Sequence, residues 1–111
     1  MGTEVCIALV TAPDSETAER VGRTLVEERL AACVNILPGV VSVYRWEGRV
    51  VREGEVLAVL KTTCAAGKRL VQRVRELHPY DVPEVLILNV DEGSAPYLDW
   101  VVGEVAEIHG A

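Results

Sequence analysis

Two periods alternate along this chain. Residues 4–12, "EVCIALVTA", form a short, almost unbroken apolar run closed by Pro13, which predicts a buried strand. The period then lengthens. Ala18, Val21, Gly22, Leu25, Val26 and Leu30 recur at spacings of three and four, so one helical face is aimed at a core. Asp14 stands where an N-cap belongs, with Glu16 and Glu19 near the positive end of the helix dipole. Arg23 and Arg29 fall late, where the dipole favours cations.

Residues 32–63 return to strand character. Two β-prone arms of about fifteen residues each flank Glu47-Gly48, and Gly48 supplies the positive φ that a tight hairpin turn requires. Fully extended, such arms reach roughly 50 Å, more than a domain of this length spans. Pro38-Gly39 and Gly54 are natural bend or bulge positions. The tip is therefore expected to project, yet Val40, Val41, Val43, Tyr44, Trp46, Val50 and Val51 put apolar groups on both of its faces. A bare two-stranded ribbon is marginal and its edges invite pairing. Either the C-terminal helix or other copies of the chain must cover it, and a patch of this kind points to other copies. Val41, Val43, Tyr44 and Trp46 are the expected interface residues.

The helical period resumes beyond Thr63, an expected cap, with Leu70, Val71, Val74 and Leu77 facing inward until Pro79 stops the helix. Residues 83–90, "PEVLILNV", form another strand. Ser94 and Pro96 open a third helix, with Leu98, Val101, Val102, Val105 and Ile108 at helical spacing. The predicted order is strand, helix, strand, strand, helix, strand, helix, without repeats or low-complexity segments. Two βαβ-type crossovers around a central hairpin give an α+β fold, the ferredoxin-like split βαβ sandwich, with one helix appended. All 111 residues are expected to form a single domain.

Composition narrows the function. Half the residues are hydrophobic and none is Phe, so the core is aliphatic. A net charge of −6 argues against a nucleic-acid backbone or an anionic membrane as partner. No apolar run approaches the roughly 18 residues that span a bilayer, and no basic-then-apolar leader precedes the first strand. The expected location is the cytoplasm. Cys6, Cys33 and Cys64 show no short spacing, and an odd count of this kind reads as reduced thiols.

The densest chemistry lies in "HPYDVPE", residues 78–84. His78 is the best candidate metal ligand; the plainer alternative is a helix-terminal histidine complementing the dipole. Lys61 ends an apolar strand and needs a partner if buried, for which Glu84 is the candidate. With Tyr80, Arg45 and Trp46 these residues are expected to line a cleft between subunits. Other chemistries on this topology lack their motifs. There is no Gly-rich anion loop or Cys-x-x-Cys after the first strand, and no paired aromatics for RNA. The sequence also offers no base set beside a nucleophile, so no enzyme is expected.

"VTAPDSETAE", "LVEERLAACVNILPGVVSVYRWEG", "LKTT", "ELHPYDVPE" and "YLDW" occur in that order between residues 10 and 100. Together they resemble the CutA family, the divalent-cation tolerance proteins. The resemblance implies a ferredoxin-like protomer in a homotrimer paired through hairpins and sheet edges, with a role in tolerance of copper and other divalent ions. Cys33 matches the family's Cys-Val-Asn and joins His78 as a candidate metal ligand on that basis. The copper ligands proposed for some bacterial members fall at Val10 and Leu77 here, so weak copper binding is expected. A similarity of that family to PII regulatory proteins implies the alternative, a sensor binding a small anion in an intersubunit cleft.

Overall fold

The computed structural model describes residues 2–107. It contains β1 (Val5–Ala12), α1 (Ser15–Glu27), β2 (Cys33–Trp46), β3 (Arg49–Thr63), α2 (Gly67–Leu77), β4 (Val85–Asn89) and α3 (Ala95–Glu104). The four strands form one antiparallel sheet in the order β2-β3-β1-β4. This is the predicted split βαβ sandwich, α+β in class, with α3 appended.

Strand alternation divides the sheet into two faces. Ala8, Val10, Ala58 and Leu60 point toward α1 and α2, where Val21, Leu25, Leu70 and Val74 complete the core. Packing there is close: a Cβ placed on Gly22 would come within 2.8 Å of the Val34 side chain, so a bare backbone is what lets α1 sit against β2. The registers Cys33↔Lys61↔Ile7↔Leu88 and Asn35↔Val59↔Leu9↔Leu86 define the opposite face. Among the described residues only α3 and the residue that caps it cover it, and only at one end, where Val101 and Val105 pack with Val5, Ala32 and Ala66. Leu37, Leu86 and Leu88 remain exposed.

The helix caps differ in detail from the sequence expectation. Asp14 caps α1 as predicted: its carboxylate accepts from the Thr17 N–H at 2.7 Å, and that bond holds its pKa below the ordinary value. The helix ends at Glu27, however, before Leu30. Arg29 adopts a left-handed φ of 61° and donates to the Gly103 and Glu104 carbonyls. It thus serves the C-terminus of α3, and no basic residue occupies the last turn of α1. Thr63 does not cap α2, which begins at Gly67 after Ala66 without a side-chain cap. Its hydroxyl instead accepts from the Ala66 N–H in the preceding turn. Ile108, assigned to α3 by its spacing, lies outside the described residues.

The hairpin follows the predicted chemistry at two of three points. Glu47 and Gly48 both have positive φ, 49° and 79°, as a two-residue turn matched to strand twist requires. The register slips between Leu37 and Val40, where Gly39 adopts a φ of 83°. Gly54, in contrast, stays in register opposite Val41. The arms carry the tip well clear of the sandwich and stretch the molecule to 43 Å, against 26 and 24 Å in the other directions.

The cysteines overturn an expectation. Cys6 and Cys64 form a disulfide across 58 residues of sequence, with Cα atoms 5.1 Å apart. The pairing follows from topology. Cys6 lies opposite Thr62 in the β1–β3 ladder, so Cys64 leaves β3 on the same face, just past that position. Cys33 is a free thiol.

Candidate functional site

His78 ends α2 in an extended conformation, φ −80° and ψ 141°, as the following proline demands. The turn folds its ring inward, leaving the residue 7% exposed. Nδ1 accepts from the Tyr80 N–H at 3.1 Å. The proton therefore sits on Nε2, which donates to the Thr11 carbonyl at 2.7 Å. Both nitrogens are satisfied, and neither retains a lone pair for a metal in this conformation. The ring ties the 78–84 loop to the end of β1, and Tyr80 rests against it with centroids 4.7 Å apart.

Tyr80 then reaches the hairpin. Its hydroxyl donates to Glu55 at 3.2 Å. Burial and, after it, the Glu55 carboxylate push the phenol pKa up to about 12. Between this loop and the base of the hairpin lies a cleft of about 630 Å³. Ser42, Tyr44 and Trp46 share one face of β2 along it, while Glu53, Glu55, Asp81 and Glu84 supply carboxylates. Tyr44 has its pKa raised, chiefly by a hydrogen bond to Glu53. Among the described residues, no Lys or Arg lines this cleft.

The structure therefore brings together Tyr80, Glu84 and Trp46 but not Lys61 or Arg45. Arg45 falls between Tyr44 and Trp46 and so projects from the opposite face of β2. Lys61 lies on the open sheet face, where its ammonium donates to Asn35, not to Glu84. Cys33 pairs in register with Lys61, and its sulfur lies 3.6 Å from the Tyr97 hydroxyl. Lys61 is opposite Ile7 of β1, four residues or about 13 Å from the Thr11 that holds His78. Cys33 and His78 thus occupy different ends and do not form one site. Among the described residues, no three His, Cys, Asp or Glu side chains converge into a metal shell.

Val41, Val43, Tyr44 and Trp46 are all exposed. Sequence reasoning missed Glu53, Glu55 and Asp81, although two glutamates at i and i+2 of one strand must share a face. It also missed the apolar open face. Its signal was present in "VLILN", whose apolar residues at successive positions leave neither side of the strand polar.

Residues 6–104 match the model of the CutA1 divalent ion tolerance protein family. The divalent-cation tolerance protein CutA of Thermus thermophilus is 52% identical over 95 residues, covering 86% of this chain and 92% of that protein. Mouse Protein CutA is 44% identical over 97 residues, 87% of this chain but 55% of the longer mouse protein. Among solved structures, CutA1 from Oryza sativa superposes with a TM-score of 0.92 at 38% identity, covering 96% of this chain and 98% of that one.

Proposed function

The chain belongs to the CutA1 divalent ion tolerance protein family, and we propose that it acts as a non-catalytic, homotrimeric binder of divalent cations. The cleft beneath the hairpin would be the element that attracts the ion. The observation carrying this reading is the charge of that cleft: Glu53, Glu55, Asp81 and Glu84 line it without a Lys or Arg among the described residues. Carboxylates crowded around a half-apolar wall favour a cation and repel an anion. The same observation weakens the alternative of a small-anion sensor. Lys61 and Arg45, the cations that reading requires, lie outside the cleft.

One subunit does not close a coordination shell. Water or a neighbouring copy would complete it, and binding should be weak, roughly 10⁻⁴ M or looser, as for sites with few fixed carboxylates. Copper on His78 is the competing version. It requires the imidazole to abandon both of its hydrogen bonds. Assembly is supported by the exposed apolar hairpin and by the open sheet face with Leu37, Leu86 and Leu88, which a second copy would bury. Cytoplasmic residence remains part of the proposal. Among the described residues, no helix is long and apolar enough to cross a membrane.

Calorimetric titration of untagged protein with Cu(II), Zn(II) and Mn(II) tests the site. Glu53→Gln with Glu84→Gln should weaken binding about tenfold or more, while His109→Ala, outside the described residues, leaves it unchanged. Abolition of binding in a folded His78→Ala variant, with the glutamate variant unaffected, would move the site to the imidazole.

A further inference from the structure

We propose that the Cys6–Cys64 disulfide is a thiol-exchange site, opened from the Cys64 side by small thiols and built to hold either oxidation state. The two sulfurs differ in access. Cys6 is 1% exposed in the middle of the sheet, whereas Cys64 is exposed in the turn that follows β3. An incoming thiolate therefore reaches the Cys64 sulfur, and Cys6 is the leaving group.

The surroundings suit the reduced pair. The Asn89 side-chain oxygen lies 3.2 Å from the Cys6 sulfur and 3.6 Å from the Cys64 sulfur. The Thr3 carbonyl lies 3.8 Å from the Cys64 sulfur. A disulfide has no proton to donate to these acceptors; two thiols have one each. Asn89 is held opposite Cys6 by the β1–β4 ladder, so the acceptor is fixed before reduction.

Other bonds hold the turn independently of the disulfide. The Cys64 N–H donates to the Glu4 carbonyl at 2.8 Å, and the Ala66 N–H to the Thr63 carbonyl at 3.1 Å. Ala66 is fully buried against Val5 and Val101. Cleavage thus removes a covalent tie without removing the turn.

The chemistry balances with a low-molecular-weight thiol as reductant. Its thiolate attacks the Cys64 sulfur, a mixed disulfide forms there, and Cys6 departs as thiolate and takes a proton from water. A second thiol attacks the external sulfur of the mixed disulfide. Cys64 is released, and the external pair leaves oxidised. Two electrons pass to the protein, and the reverse sequence restores the bond.

The test uses the folded 111-residue chain carrying Cys33→Ser, so that only this pair reacts. Intact mass is followed across glutathione buffers of varied redox ratio, without denaturant. The expected result is reversible interconversion of forms differing by two hydrogens, with the circular dichroism unchanged. With Cys6→Ser added, oxidised glutathione should give a single adduct on Cys64; with Cys64→Ser instead, Cys6 should remain unmodified. Asn89→Ala should shift the equilibrium toward the disulfide by roughly threefold, since only the thiol form loses a hydrogen-bond acceptor. A bond that yields only after unfolding, a pair that oxidised glutathione does not close, or adducts forming equally on Cys6 would overturn the proposal. An unmoved midpoint in Asn89→Ala would overturn the role given to that residue.

Discussion

The inner end of β3 and its outer end both carry valines and meet opposite fates. Val56, Ala58 and Leu60 lie under α1, each less than a tenth exposed, while Val50 at the other end of the same strand is 69% exposed. Both ends are paired to β2, although Arg49, Arg52, Glu53 and Gly54 interrupt the outer end. What separates them is the reach of the helices. A helix of 13 residues, such as α1, extends about 20 Å, whereas the 15 residues of β3 span about 50 Å. Helices connected to these strands cannot cover the full ribbon. The surplus strand, with Val41, Val43 and Val50, is left exposed.

The largest effect should come from cutting the covered end. Leu60→Ala removes a side chain that is 1% exposed and should cost about 2–5 kcal/mol. Val50→Ala should cost under about 0.5 kcal/mol in the unassembled chain. Urea unfolding at two protein concentrations reads both. If copies cover the hairpin, the Val50 penalty grows with concentration, whereas the Leu60 penalty persists at every concentration. A Val50 penalty that is large and independent of concentration would mean the ribbon is covered within the chain.

A second contrast sets one exposed tryptophan against the other. Trp46 stands beside the hairpin turn, and Trp100 lies on α3 against Tyr97, with ring centroids 5.7 Å apart. Trp46→Ala should weaken self-association by about a hundredfold, as expected for an aromatic anchor in an interface. Trp100→Ala should weaken it less than about tenfold. Analytical ultracentrifugation decides, and the reverse order would place the assembly surface on α3.

The smallest effect lies where the two regions meet, at the Tyr80–Glu55 bond. The folded state holds the Tyr80 proton more tightly than the unfolded chain does, because its pKa rises to about 12. That contribution is fully present below about pH 10, the ordinary tyrosine value, and is lost as the pH climbs toward 12. Wild type should therefore lose stability between pH 10 and 12 more steeply than Tyr80→Phe in thermal unfolding. Parallel slopes would show that the phenol is not the titrating group.

The sequence by itself determined the elements, their order and the bends at Gly39 and Gly48, though not the straight passage at Gly54, because those depend on neighbours a few positions away. Asp14 reaches the Thr17 N–H, Gly39 and Gly48 take positive φ, and Pro79 ends α2, all through local sterics and hydrogen bonds. The blocks between residues 10 and 100 were enough to signal the family. Tertiary structure alone decided which distant groups meet. His78 reads as an exposed ligand when only Pro79 and Tyr80 are in view. It becomes a buried, fully bonded ring once β1 brings the Thr11 carbonyl to it. Lys61 and Glu84 look like partners in a linear string, but strand alternation sends Lys61 to Asn35 and leaves Glu84 among carboxylates. Cys6 and Cys64 show no spacing rule, because their closeness arises from the antiparallel register of β1 and β3. A period of two or 3.6 is written along the chain; a contact across 58 residues depends on how the strands are ordered in the sheet.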